Sequence, residues 1–435
     1  MIESATVRLW EQTVGAVALD EDNGTAAFEY DREFVRGGLA VAPLTMPLSR
    51  QVFSFPELSY QSFHGLPGLL ADSLPDRFGN KLIDAWLAMQ GRQPGSLSSI
   101  ERLCYTGQRG MGALEFSPAK GPRVTTARRL QLDKLVDLAS EALSSGRDFA
   151  RSFATESRKR AMADVLRVGT SAGGARAKAV IAWNPSTNEV RSGQIDTGDG
   201  FEYWLLKFDG VKGNRDRELD DPQGYGRIEY AYYNMARDCG IEMSESRLLE
   251  EHDRWHFMTR RFDRLDDGQK LHMQSLGAMA HFDFNAAGAY SYEQALMVIR
   301  RLELGMDAVE EQFRRMVFNI VGRNQDDHVK NIAFLMDRSG AWSLSPAFDA
   351  TYSFNPTGTY TSSHQMTMNL KRDEFVLNDF KACAKSASMK RGRAEAILDA
   401  VQSVVSRWRD YADEAGVSPA QRDKIQSVLR LSPFS

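Results

Sequence analysis

Asn319–Tyr352 reads NIVGRNQDDHVKNIAFLMDRSGAWSLSPAFDATY, and the spacing of its polar residues decides the fold. Asp326 is followed five residues on by Asn331, and Asp349 comes eighteen residues after that, inside SPAFDA. An ordered loop in that acidic, amide, acidic order can turn a carboxylate towards a substrate hydroxyl and supply hard oxygen donors to a phosphate-bound cation. The apolar runs Met316–Val321 and Ile332–Met336 predict a helix before the loop and a strand after it. Two other readings of Asp326, Asp327 and His328 stay open: a polar loop capping a helix, or ligands of a hydrolytic metal.

The 435 residues predict two or three domains, at about 150 residues each. With 42% hydrophobic and 26% charged residues and a formal net charge of −4, the chain has no global pull towards nucleic acid. Cys104, Cys239 and Cys383 are isolated in sequence and form no disulfide framework, which fits a reducing compartment. MIESATVRLWEQ lacks the apolar core of a signal peptide, and no run reaches the ~18 apolar residues of a membrane span. The expectation is a cytoplasmic protein with no membrane contact.

Residues 1–60 alternate as short strands, at Thr6–Leu9, Ala16–Leu19 and Ala26–Tyr30. The period then becomes helical, most clearly over Asn80–Leu87, with Ser73 and Asp76 as candidate N-caps. Ile100–Tyr105 predicts a second helix and Ala113–Phe116 a strand. Ser117–Arg128 has the composition of a linker. Helices are expected at Leu130–Leu143, Arg158–Val165, Tyr290–Arg301, Val309–Ile320, Arg391–Ala412 and Pro419–Leu429. The cations Arg123, Arg128, Arg129 and Lys134 cluster around the linker and the helix after it; such runs are usually solvated faces, and a docking surface for an acidic partner or DNA backbone is the minority alternative.

Val168–Ile181, VGTSAGGARAKAVI, is a run of small residues leading into a strand. Successive N–H groups of such a turn can cradle an anion, although most glycine-rich turns are only hairpins and this one has neither Walker A nor GxGxxG spacing. Tyr203–Phe208, YWLLKF, carries Lys207 within an apolar strand, where a cation either finds an anion or snorkels to solvent. In protein kinases the strand lysine contacts the nucleotide phosphates and a helix glutamate, for which Glu229 in RIEYAYYNMARDCGI is the candidate. RRFDR, Arg260–Arg264, lies in the order expected of a connection offering backbone groups to adenine.

Taken together, GGARAK, WLLKF, RRFDR, NQDDHVKN and SPAFDA resemble the HipA family of serine/threonine kinases, toxins of bacterial toxin–antitoxin pairs. GLLADSLPDRFG is similar to that family's N-terminal subdomain, so the resemblance spans nearly the whole chain. It implies an α+β, bilobal protein-kinase-like fold. Residues 1–120 would form a small β-rich N-terminal subdomain, 121–258 the part with the glycine-rich loop and strand lysine, and 259–435 an all-α C-terminal lobe.

Position by position, the resemblance implies ATP and Mg²⁺ as cofactors. Asp326 would be the catalytic base and Asn331 and Asp349 the Mg²⁺ ligands. Gly173, Gly174, Ala175, Arg176, Ala177 and Lys178 would cover the phosphates, Lys207 would be the strand lysine, and Arg260, Arg261 and Phe262 the adenine hinge. His328, Val329, Lys330 and Phe348 would line the nucleotide site. Ser171, with Thr170 beside it, would be the autophosphorylated residue that switches the enzyme off, since a dianion beside a phosphate nest competes with ATP. Arg176 and Ala177 depart from the founding pattern, and Thr351–Phe375 resembles the longer post-metal segment of a subfamily.

The implied activity is transfer of the ATP γ-phosphoryl group to a Ser or Thr of a cellular protein, by family analogy an aminoacyl-tRNA synthetase. The implied partner is a DNA-binding antitoxin of the HipB type. No helix-turn-helix is legible, so contact with DNA would be indirect. The alternatives are a co-repressor or binding partner of that antitoxin, a small-molecule phosphotransferase, and a metal-dependent nuclease built on Asp326, Asp327 and His328.

Overall fold

The computed structural model describes residues 2–20, 23–121, 129–144, 166, 168, 176–194, 197–211, 223–265, 268–432 and 434. The chain divides into two compact units: residues 1–226, 246–273 and 337–340, and residues 227–245, 274–336 and 341–435.

The first unit opens with an antiparallel sheet of β1 (Ser4–Leu9), β2 (Gln12–Asp20), β3 (Thr25–Tyr30), β4 (Val52–Phe53) and β5 (Leu114–Ser117), in the order β4-β3-β2-β1-β5. Alternation selects its inner face, which buries Val7, Leu9, Val17, Phe28 and Phe116. Gly15 stands opposite Tyr30 in the register. A Cβ there would collide with the Glu29 carbonyl, so only glycine fits.

The helix Arg77–Met89 begins where Asp76 Oδ1 accepts from Gly79 N at 2.6 Å. A capping box between Ser98 and Glu101 starts the helix Ser99–Thr106. The second sheet of this unit holds β6 (Lys178–Asn184), β7 (Glu189–Ser192), β8 (Glu202–Lys207), β9 (Ser246–Glu251) and β10 (Arg254–Arg260), ordered β7-β6-β8-β10-β9. Leu82 and Val136, from the helices Arg77–Met89 and Leu132–Ser144, share one core with Ile181, Trp204 and Leu206 of this sheet. The helix expected at Arg158–Val165 lies outside the described residues.

The second unit is mainly helical, with Tyr292–Arg301, Gly305–Val321, Leu377–Ser386, Arg393–Val405, Trp408–Glu414 and Pro419–Gln426. The C-terminal part is not all-α as expected. It includes β12 (Ala333–Met336) and β13 (Trp342–Leu344) of a three-stranded sheet ordered β11-β12-β13, where β11 is His272–Ser275. All four residues of β12 are buried, as in a strand covered on both faces.

The single helix expected over Arg391–Ala412 is two. Ser406 Oγ donates to Ser403 O at 2.7 Å, offering the backbone a local alternative to the helical ladder. Trp408, fully buried, restarts the chain against Tyr232, with ring centroids 5.2 Å apart. Among the described residues no helix is long and apolar enough to cross a membrane.

Candidate active site

In the second unit the helix Gly305–Val321 ends at Gly322, whose carbonyl accepts from Tyr232 Oη at 2.6 Å. Arg323 then takes a left-handed conformation, at φ 56°, and turns the chain into the loop. Asn324, buried, donates through Nδ2 to Asn319 Oδ1 at 3.0 Å and to the Asp349 carbonyl at 3.2 Å. Gln325 N to Ser353 O and Ser353 N to Arg323 O, both 3.0 Å, tie the segment after Asp349 alongside the loop. This pairing returns Asp349 to the neighbourhood of Asp326.

The two adjacent aspartates have opposite environments. The Asp326 side chain is 34% exposed, with its Oδ1 4.0 Å from His328 Nε2. Asp327 is buried and accepts from Tyr292 Oη at 2.6 Å and Gln365 N at 2.7 Å, with His364 Nδ1 at 2.8 Å. Burial alone would raise its carboxyl, but His364 and these donors outweigh that and hold it below the ordinary range.

Asp327 is therefore committed to structure. The nuclease alternative loses its second carboxylate, and among the described residues no three His, Cys, Asp or Glu side chains gather as a metal site.

Asn331 Nδ2 donates to the Asp326 carbonyl at 2.8 Å, which fixes the amide and turns Oδ1 the other way. Asp349 sits at φ 52°, a left-handed conformation that non-glycine residues adopt where the surroundings enforce it. Lys330 Nζ lies 4.5 Å from the centroid of the Phe284 ring, and His328 packs edge-on to the same ring at 6.0 Å. Val329 is buried in the turn Val329–Asn331. A cavity of about 30 Å³ behind the loop is lined by His328, Asn331 and Phe348, with Gln312 and Arg315 of the helix.

In the first unit, Lys178 of β6 and Lys207 of β8 are register partners, and both are buried. Opposed residues of an antiparallel pair share a face. Both ammonium groups therefore lie on one face of the sheet. Arg176 lies 3.9 Å over the Tyr225 ring, and Ala177 is buried. Gly173, Gly174, Ala175, Thr170 and Ser171 lie outside the described residues. Asp209, two residues beyond Lys207, accepts from Gly224 N at 2.9 Å and Tyr225 N at 3.2 Å, anchoring the start of the helix Tyr225–Asp238. Glu229 is buried on that helix.

The expected hinge has a structural duty. Arg260 is half-buried, 4.0 Å from Glu202, and Phe262 is half-buried. Arg261 N donates to Tyr203 O at 2.9 Å, and its guanidinium grips Asp263 at 2.9 and 2.7 Å. Asp263 is fully buried and also accepts from Arg264 at 2.9 Å and Gly112 N at 2.6 Å. The Arg261 side chain thus reaches the turn at Gly110–Gly112, where it donates to Gly110 O at 3.4 Å. Burial opposes ionisation of Asp263, but Arg261 and Arg264 override it and hold the carboxyl far below its usual range.

Asp263 and Asp327 both have folded-state pKa values below their unfolded ones. Their contribution is complete above about pH 4 and is lost as pH falls below it, because the unfolded chain then binds protons first. Urea midpoints are expected to drop steeply below about pH 4. A midpoint unchanged down to about pH 3 would contradict this assignment.

The chain of Shewanella oneidensis MR-1 HipA, solved with HipB and operator DNA as a toxin–antitoxin system, aligns at a TM-score of 0.68 and 13% identity. The alignment covers 97% of this chain and 96% of that one. The fold is accordingly that of the Shewanella HipA chain, β-rich towards the N-terminus and helical towards the C-terminus. Residues 170–408 match the HipA-like C-terminal domain and residues 5–117 the HipA N-terminal domain. The chain belongs to the HipA family. A candidate kinase of Haemophilus influenzae is 28% identical over 134 residues, which is 28% of this chain and 39% of that protein. This chain therefore spans about two fifths of that relative's length.

Proposed function

We propose that the chain is an ATP-dependent protein kinase that phosphorylates Ser or Thr of a cellular protein and is restrained by a HipB-type antitoxin. The observation that carries this reading is the loop itself. A half-exposed Asp326 carboxylate precedes an Asn331 amide locked by the Asp326 carbonyl, with Asp349 tied back beside them. Asp326 would accept the hydroxyl proton of the substrate. Asn331 Oδ1 and the Asp349 carboxylate are hard oxygen donors, the kind Mg²⁺ takes one or two of while keeping water and phosphate oxygens. When bound, the ion supplies charge neutralisation at the phosphates. Lys178 and Lys207 would meet phosphate oxygens, and His328 and Lys330 would border the nucleotide. The antitoxin partner is supported by the Shewanella complex, which holds HipB and operator DNA. An aminoacyl-tRNA synthetase is the proposed target, and the cytoplasm the proposed location.

The purified chain, with labelled ATP·Mg²⁺ and a cell lysate, is expected to label a protein on Ser or Thr and to label itself in a peptide containing Ser171. Label confined to small molecules would replace this reading by a small-molecule phosphotransferase. Self-labelling only at other residues would remove Ser171 from the scheme.

A further inference from the structure

His364 is fully buried and faces two partners, both in the second unit. Its Nδ1 is 2.8 Å from Asp327 Oδ2, and its Nε2 is 2.8 Å from Arg430 Nη1. A guanidinium donates and never accepts. Nε2 must therefore carry the lone pair, and the ring proton sits on Nδ1, where it is given to Asp327.

Arg430 is itself held: it also donates to the Ile320 carbonyl at 3.1 Å and pairs with Asp373. Arg323 approaches the same Asp373 at 3.7 Å, and the Phe375 ring stands edge-on to His364 with centroids 5.5 Å apart. The relay thus runs from the segment after the helix Pro419–Gln426, through His364, to the residue beside Asp326.

Asp326 and Asp327 share one planar peptide unit. On one side of it, the Asp326 carbonyl holds the Asn331 amide at 2.8 Å. On the other, the Asp327 side chain is gripped by Tyr292, Gln365 and His364. Turning Asp327 turns that carbonyl and releases Asn331.

We propose that the Arg430–His364–Asp327 relay is a positioning device for phosphoryl transfer, with His364 as its central positioning residue. It rests on the kinase reading above. Gln365 N ties the same carboxylate to Thr351–Phe375, so the loop and the segment following Asp349 are set together.

Three variants test it: His364→Asn keeps an N–H near the place of Nδ1, His364→Phe keeps neither ring nitrogen, and Arg430→Met removes the donor to Nε2. With wild type transferring phosphate, His364→Phe is expected to lose about 10²-fold in kcat, the scale of a misaligned reacting group. KM for ATP should stay within about threefold, and His364→Asn should restore most of the rate. The circular dichroism spectrum of each variant reports whether it folds.

If His364→Phe fails to fold, the ¹⁵N spectrum of the wild-type imidazole decides. The Nδ1–H tautomer, lost in Arg430→Met, is expected, and an Nε2–H tautomer would overturn the relay. A folded His364→Phe chain with wild-type kcat would overturn it as well. Absence of any transfer by the wild type would instead overturn the kinase reading.

Discussion

Asp326→Asn is expected to lower phosphoryl transfer about 10³-fold, within the range that a positioned general base supplies. The change removes the proton acceptor and the charge that faces His328 at 4.0 Å. The contact that organises the loop uses the Asp326 backbone carbonyl, 2.8 Å from Asn331 Nδ2, and survives the substitution. Its side chain is 34% exposed, so an amide there buries no unpaired charge. KM for ATP and the melting temperature should therefore move little. Steady-state transfer to protein, measured beside thermal unfolding, checks both halves. Near-wild-type turnover would remove Asp326 from the role of base.

Asp263→Ala is expected to cost about 3–5 kcal/mol, the penalty for stranding buried partners of an ion pair. Two guanidiniums, Arg261 and Arg264, would lose their counter-charge, and Gly112 N its acceptor. The melting temperature should fall by on the order of 10 °C. Hydrogen exchange should rise first at Gly110–Gly112 and in β5. A loss below about 1 kcal/mol would mean that the pair is solvated and contributes as surface ion pairs do.

The Asp326–Asn331 loop was legible because its signal is local. Asp326 and Asn331 stand five apart, flanked by apolar runs that become the helix Gly305–Val321 and β12. Strands β1 to β3 and the cap at Asp76 were readable for the same reason, since alternation and capping act over a few residues. RRFDR has a second duty that its local sequence does not show. Its order along the chain suits a hinge, whereas the duty of Arg261 and Asp263 depends on Gly110 and Gly112, some 151 positions away. His364 and Arg430 escaped notice altogether, because nothing near either marks them as partners of Asp327. Asn324 is of the same kind: its buried amide matters through Asp349, 25 positions on. Of the small sheet in the helical part, the strand expected over Ile332–Met336 is β12, whereas β11 and β13, four and three residues long, are too short to show a strand period.

The lock around Asp263 also orders events at the ribosome. Every strand of the first sheet has emerged by Ser117, yet the turn at Gly110–Gly112 waits for Asp263. Trp10 and Glu115 wait a little longer, for Lys270. At about 5–20 residues per second the nascent chain spends on the order of ten to thirty seconds with that face unfinished. Throughout this interval the emerging amino-terminal region offers unpaired peptide groups to whatever waits at the tunnel exit, so a chaperone would have its opportunity there, well before any active centre exists.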